Sequence, residues 1–235
     1  MPAVQLAQVL FSQGFGTRRA CDGLIRAGRV RVGSAVVDDP QQAVETDGLV
    51  LSVDDLDWPY RVPALVVLNK PAGYECSQRP SHHPSVLSLL PPPLRTRGVQ
   101  PIGRLDAQTT GLLLLTDDGA LIHRFTSPKH HVPKVYEARC AEPVTPMQLQ
   151  RLLDGVVLRD DPRPVRAQQV RARTERTLEL TLTEGRYHQV RRMVAAAGNH
   201  VEALHRSRFG ALALPSDLLP GQWRWLDGPQ AVLGG

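Results

Sequence analysis

Apolar positions near the start of the chain recur at helical spacing and then at strand spacing. In VQLAQVLFSQGF, Leu6, Val9 and Leu10 lie on one face and predict a short helix. Thr17 is placed to cap a second helix, RRACDGLIRAG, which stops at Gly28. RVRVG and AVV then alternate as two short strands around a turn at Gly33-Ser34. LDWPYRVP has no periodicity and contains Pro59 and Pro63, so it reads as a stiff linker. The expected division is a small module over 1–55, a linker over 56–63 and a larger domain over 64–235.

In the larger domain, ALVVLNKP predicts a strand ended by proline, and SVLSLLPPP a short helical or extended piece. GLLLLT is a buried strand closed by the turn signal Asp117-Asp118-Gly119, and ALIHRFTSP follows as a helix. VYEARCAEPV and TLELTLTEG alternate as strands. TPMQLQRLLDG combines a Thr cap, an early proline and a Gly stop. HQVRRMVAAAG places Val190, Met193, Val194 and Ala197 on one helical face. This irregular interleaving of strands and helices indicates an α+β class with a mostly antiparallel sheet.

Composition narrows the function classes. The net charge is +5, and only Lys70, Lys129 and Lys134 among the 28 basic residues are lysines. Arginine suits phosphate oxygens and stacks on bases, so a polyanionic partner is expected. Arg18, Arg19, Arg26, Arg29 and Arg31 cluster in the first module with only Asp22 among them, which predicts a phosphate-binding edge. No apolar run is long enough to span a membrane, and the N-terminus lacks a secretory pattern, so a cytoplasmic location is expected. Cys21, Cys76 and Cys140 have no paired spacing, and His82-His83 and His130-His131 lack a ligand spacing, so no metal is expected.

Four polar clusters interrupt the scaffold: Asn69-Lys70-Pro71, Arg104-Asp106-Thr109-Thr110, Lys129 to Tyr136, and Gly185 to Arg192. Arg186, Arg191 and Arg192 lie at or before the first turn of a helix, where the dipole disfavours cations. A phosphate or a catalytic carboxylate is the expected compensation. Taken alone, Asp106 reads as a turn or cap residue and Tyr136 as a strand tyrosine on the core. No nucleotide-phosphate loop and no serine or cysteine nucleophile motif is present.

Together, GRLDAQTTGLLLLTDDG, NKPAGYECS, HPSVL, SPKHHVPKVY and EGRYHQVRRMVAAAGNHVEALHRSRFG resemble, in order, the RsuA-type branch of the pseudouridine synthases. RRACDGLIRAGRVRVGSAVVDDP resembles the S4 RNA-binding module these enzymes carry at the N-terminus. The resemblance implies a pseudouridine synthase fold with a mixed, mostly antiparallel central sheet, preceded by a small S4-like RNA-binding domain. It also implies an isomerase that detaches uracil at N1 and rejoins it through C5 in ribosomal RNA of the small subunit, without metal or organic cofactor. Large-subunit RNA and a non-catalytic RNA-binding role are the alternatives, and a monomer on a pre-ribosomal substrate is the default. Asp106 matches the nucleophile, which attacks C1′ of the ribose or C6 of the base. Tyr136 matches the tyrosine that stacks on the target base, and Arg191 the basic partner of the aspartate. Arg104 matches the arginine that displaces the nucleotide, and Lys70, Lys134, Arg186 and Arg192 join the module arginines as expected RNA contacts.

Overall fold

The computed structural model describes residues 3–159 and 161–234 of the chain, which divide into two compact units. The first comprises residues up to 64 together with 90–99. Its helices are α1 (Leu6–Ser12) and α2 (Arg18–Arg26), and Thr17 caps α2 by accepting from Ala20 N at 3.2 Å. Strands β1 (Val30–Val32), β2 (Ala35–Val36), β3 (Val50–Val53) and β4 (Leu56–Pro59) form a four-stranded antiparallel sheet in the order β2-β1-β3-β4. Leu6, Val9, Leu10, Cys21, Ile25, Val30 and Leu51 fill the core between helices and sheet.

Two boundaries differ from expectation. Residues 56–59 are not a linker but the strand β4, joined to β3 through Asp54 (φ 51) and Asp55 (φ 63). Two successive left-handed residues make the tight hairpin turn that matches strand twist, and aspartate tolerates that region. Residues 90–99, expected in the larger domain, contain α3 (Pro92–Thr96) and belong to the first unit. The buried Gln13 explains this, because its Oε1 accepts from Arg97 Nη1 at 2.8 Å, Trp58 Nε1 at 3.3 Å and Arg61 N at 3.2 Å.

The second unit is built on a nine-stranded sheet. Its main path joins β5 (Leu65–Lys70), β6 (Thr110–Thr116), β7 (Lys134–Cys140), β8 (Gln169–Thr174), β9 (Thr177–Leu182), β10 (Val201–Phe209) and β11 (Trp223–Trp225) in the order β8-β9-β7-β10-β6-β5-β11. Only the β10–β6 pairing in this path is parallel. Helix α4 (Gly119–Thr126) is capped by Asp118, and α5 (Pro146–Asp154) begins with a capping box between Thr145 and Gln148. α5 and α6 (Gln189–Ala196) pack Leu152, Val190, Met193 and Val194 on Ala138, Leu178, Leu180 and Leu204 of the sheet. Leu65, Val67, Leu112 and Leu114 form a second core with Phe125 of α4 and Phe209.

The registers place one row of residues across this sheet: Leu180, Tyr136, Arg206, Gly111 and Lys70 are successive cross-strand partners. Gly111 makes the row possible. A Cβ there would stand 2.3 Å from the Arg206 carbonyl oxygen, and its φ of +104° disfavours any other residue. No helix among the described residues is long and apolar enough to cross a membrane.

Candidate active site

At the edge of β6 the sequence must turn from a fully buried leucine strand into a polar loop. The loop is held from below by Lys70, whose side chain is completely buried at the end of β5. Its ammonium donates to the carbonyl oxygens of Pro71 (3.0 Å), Asp106 (3.2 Å), Ala107 (3.0 Å) and Thr109 (2.8 Å). An ammonium has three protons, so these four contacts share them. Burial lowers the Lys70 pKa, and the nearby Cys76 and Asp106 pull it back. Gly73 N adds a bond to Ala107 O at 2.8 Å, and Thr109 N one to Asp106 O at 3.0 Å. The carbonyl of Asp106 is therefore held by two bonds, from Lys70 and from Thr109 N.

Its carboxylate is not buried with it. The Asp106 side chain is 34% exposed, and its Oδ1 lies 3.3 Å from Nε2 of His188, the residue before α6. Beside the loop, Cys76 Sγ accepts from Leu105 N at 3.5 Å, and burial raises its pKa against the opposing pull of Lys70, Arg206 and Arg104. Tyr136 is half-buried in β7, and the Arg206 guanidinium lies 6.0 Å from its ring centre. Arg206 itself is 1% exposed. Its Nε donates to Leu112 O at 2.8 Å, while its Nη2 is buried with no hydrogen-bond partner. A carboxylate open to solvent, on a loop held rigid by a buried cation and set near a row of tyrosine and arginine, is equipped for nucleophilic attack on an electron-poor carbon.

The sequence pattern of RNA pseudouridylate synthases matches residues 64–196, more than half of the 235-residue chain. The chain belongs to this family. An S4 domain matches residues 4–50 of the same synthase. It is 40% identical over 220 residues to the ribosomal small subunit pseudouridine synthase A of Escherichia coli (strain K12), covering 91% of this chain and 92% of that one. The protein of the same name from Yersinia pestis is also 40% identical, covering 91% of each chain. A solved structure described as the crystal structure of pseudouridylate synthase superposes with a TM-score of 0.67 at 33% identity, covering 95% of this chain and 96% of that one.

Several of the synthase's expected site residues lie elsewhere than foreseen. Arg191 is not the ion-pair partner of Asp106. Its Nη1 donates to Val201 O at 2.7 Å, and the side chain that stands against the Asp106 carboxylate is His188. Lys70 does not face RNA, because its ammonium is spent on the loop carbonyls. Lys134 is 8% exposed, donates to Val132 O at 3.0 Å and lies 5.3 Å from the Phe209 ring centre. Burial, helped by Arg206, lowers its pKa to about 8. Arg186 is drawn to Glu184 at 3.4 Å, and Arg192 donates to Tyr187 O at 3.1 Å. Arg104 is exposed beside Asp106. In the first unit, Arg18, Arg19 and Arg26 are exposed, but Arg29 and Arg31 are compensated by Asp54 and Asp55 at 2.6 and 2.7 Å.

His188 and Arg206 are the residues that sequence reading passed over. The signal for Arg206 was its alternation with the buried Leu204 along EALHRSRF. The histidine pair His82-His83 is anchored through its backbone. Its backbone N–H groups donate to Glu75 Oε1 at 2.8 and 2.9 Å, which holds the Glu75 carboxyl below its usual range. No cluster of three or more metal-ligating side chains occurs among the described residues.

Proposed function

We propose that this synthase converts a uridine of small-subunit ribosomal RNA to pseudouridine with Asp106 as nucleophile, acting as a monomer in the cytoplasm on an assembling subunit. Support for the substrate comes from the names of relatives that match along nine-tenths of the chain. The observation that carries the nucleophile is the Lys70–Asp106 arrangement: a rigid backbone under a carboxylate that solvent reaches.

The target base must leave its stack, which costs roughly a few kcal/mol, offset by stacking on Tyr136 and by phosphate contacts. Arg104, exposed beside Asp106, fills the vacated position in this reading. The Asp106 carboxylate adds to C1′ or C6, the N1–C1′ bond breaks, and the uracil turns to present C5. The C5–C1′ bond then forms, the C5 proton is lost while N1 gains one, and the carboxylate is released. The reaction is a redox-neutral isomerisation whose bond changes are supplied by nucleotide and carboxylate. The module spanning residues 1–55, with Arg18, Arg19 and Arg26 outward, docks the RNA.

The decisive experiment maps pseudouridine in small- and large-subunit ribosomal RNA after incubation with the enzyme and with Asp106→Asn. One new pseudouridine in small-subunit RNA, absent with Asp106→Asn, is expected. A product in large-subunit RNA moves the substrate, and turnover by Asp106→Asn removes the nucleophile assignment.

A further inference from the structure

His188 stands within ion-pair distance of Asp106, yet the mechanism above gives it no task. Its backbone is left-handed, with φ 46 and ψ 35, immediately before α6. Few residues without glycine's freedom enter that region, and histidine does so more readily than most. The turn changes where the side chains go. Neighbours on an extended strand point to opposite faces, whereas the Tyr187 and His188 rings lie parallel, with centroids 3.9 Å apart at 16°. Tyr187 is 72% exposed, so burial does not hold it there.

The segment around the two rings is tied down. Gln189 accepts from Arg186 N at 2.8 Å and donates to Glu184 at 2.9 Å. Arg192 donates to the Tyr187 carbonyl at 3.1 Å. The imidazole is thus backed by one ring and carried on a fixed turn, with Nε2 3.3 Å from Asp106 Oδ1. Asp106 Oδ2 has no hydrogen-bond partner among the described residues.

Building on the assignment of Asp106 as nucleophile, we propose that His188 is its positioning residue: it holds Oδ1 so that Oδ2 is presented to the nucleotide, and Tyr187 keeps the imidazole in plane. Lys70 fixes the main chain of Asp106 but leaves its side-chain torsions free. One donor on Oδ1 removes that freedom before the substrate arrives, which is how a second contact raises the rate of a step it does not take part in. His188 transfers no proton in this role. Its Nε2 stands against Oδ1 at 3.3 Å, and the bond to carbon forms at the other oxygen.

The test is steady-state pseudouridine formation on a small-subunit RNA transcript, with kcat and KM measured separately. His188→Ala is expected to lower kcat about 10²-fold with KM within about twofold. His188→Gln, whose amide can donate to the same oxygen, is expected to recover at least about tenfold of that loss. Unchanged kcat in His188→Ala, or equal losses in both variants accompanied by a raised KM, overturns the proposal. Should His188→Ala fail to fold, the exposed Tyr187→Ala decides: a several-fold fall in kcat at constant KM supports the role, and unchanged kcat overturns it. Asp106→Asn, run alongside, separates the two readings. Turnover by that variant removes the nucleophile, whereas an inactive Asp106→Asn beside a fully active His188→Ala removes only the role of His188.

Discussion

The two units of this synthase use positive charge in opposite ways. In the first, Arg18, Arg19 and Arg26 are exposed, and Arg18 rests over the Phe11 ring at 4.6 Å. In the second, Lys70, Arg206 and Lys134 are 0%, 1% and 8% exposed. A solvated guanidinium keeps its charge without protein help and gains when a polyanion displaces counterions. A buried cation must be compensated inside the fold or lose its proton. Lys70 has four carbonyl acceptors, whereas Lys134 has one and a pKa lowered to about 8. Exposed charges are therefore interchangeable with one another, while each buried one has a particular structure built around it.

The sharpest break in this comparison is Lys70→Met. Methionine fills similar volume but takes the Lys70 donor from the carbonyls of residues 71, 106, 107 and 109, of which only those of 106 and 107 keep a recorded backbone donor. A displaced nucleophile costs about 10²-fold in kcat, and buried unsatisfied acceptors cost about 1–3 kcal/mol each at most. Expected are a kcat reduced by that factor or more and a lower urea midpoint, with RNA affinity retained. Full activity would show that the loop's own turn suffices to hold Asp106.

The exposed set is tested by Arg18→Gln, Arg19→Gln and Arg26→Gln together. Three lost phosphate contacts reduce the slope of log affinity against log salt by about 2, and affinity near 0.1 M salt falls by about tenfold or more. Filter binding across a salt series measures both. An unchanged slope would move RNA docking away from this edge.

How far this contrast was legible follows from periodicity. The helix faces and caps were readable because their determinants are local: Thr17 bonds three residues on, and Thr145 pairs with Gln148. Asp106 was readable through resemblance, since a lone aspartate beside a leucine strand has several commoner uses. The fate of Lys70 was not, because all six residues of β5 are buried and alternation along it cannot separate an inward lysine from an outward one. Compensation of Arg29 and Arg31 was hidden as well. Their partners, Asp54 and Asp55, come more than twenty residues later, in a turn just before the strand that the prolines made look like a linker. His188 escaped notice because its contact depends on a left-handed turn that no spacing rule announces.

A smaller effect separates the two buried lysines. Burial lowers the Lys134 pKa to about 8 in the folded chain, from an ordinary 10.5. Between those values the unfolded chain holds the proton and the folded chain does not, so wild-type stability rises with pH through that window. Below it the charged form is buried at a penalty of about 3 kcal/mol at most. Lys134→Met removes that penalty but leaves Val132 O without a donor, so it should be more stable at pH 7 by about 1–2 kcal/mol. That advantage should shrink between pH 8 and pH 10.5. Urea denaturation of both proteins at the two ends of the range measures the difference, and an advantage that grows with pH would reverse the assignment.

The smallest effect is expected at the surface. Asp54 holds Arg29 through two bonds of 2.6 Å, and the pair is solvated on both sides. Such pairs add little to stability because water screens them and ordering two side chains offsets the attraction. Asp54→Asn should therefore leave the unfolding midpoint where it is. Its effect belongs to docking instead. With the carboxylate gone, Arg29 joins Arg18, Arg19 and Arg26 as an uncompensated cation on the same unit, and the salt slope should steepen by somewhat less than 1. RNA affinity at low salt should rise about twofold to fivefold, and the gain should vanish as salt is raised. Unaltered binding at low salt would place Arg29 outside the docking edge and confine that edge to α2.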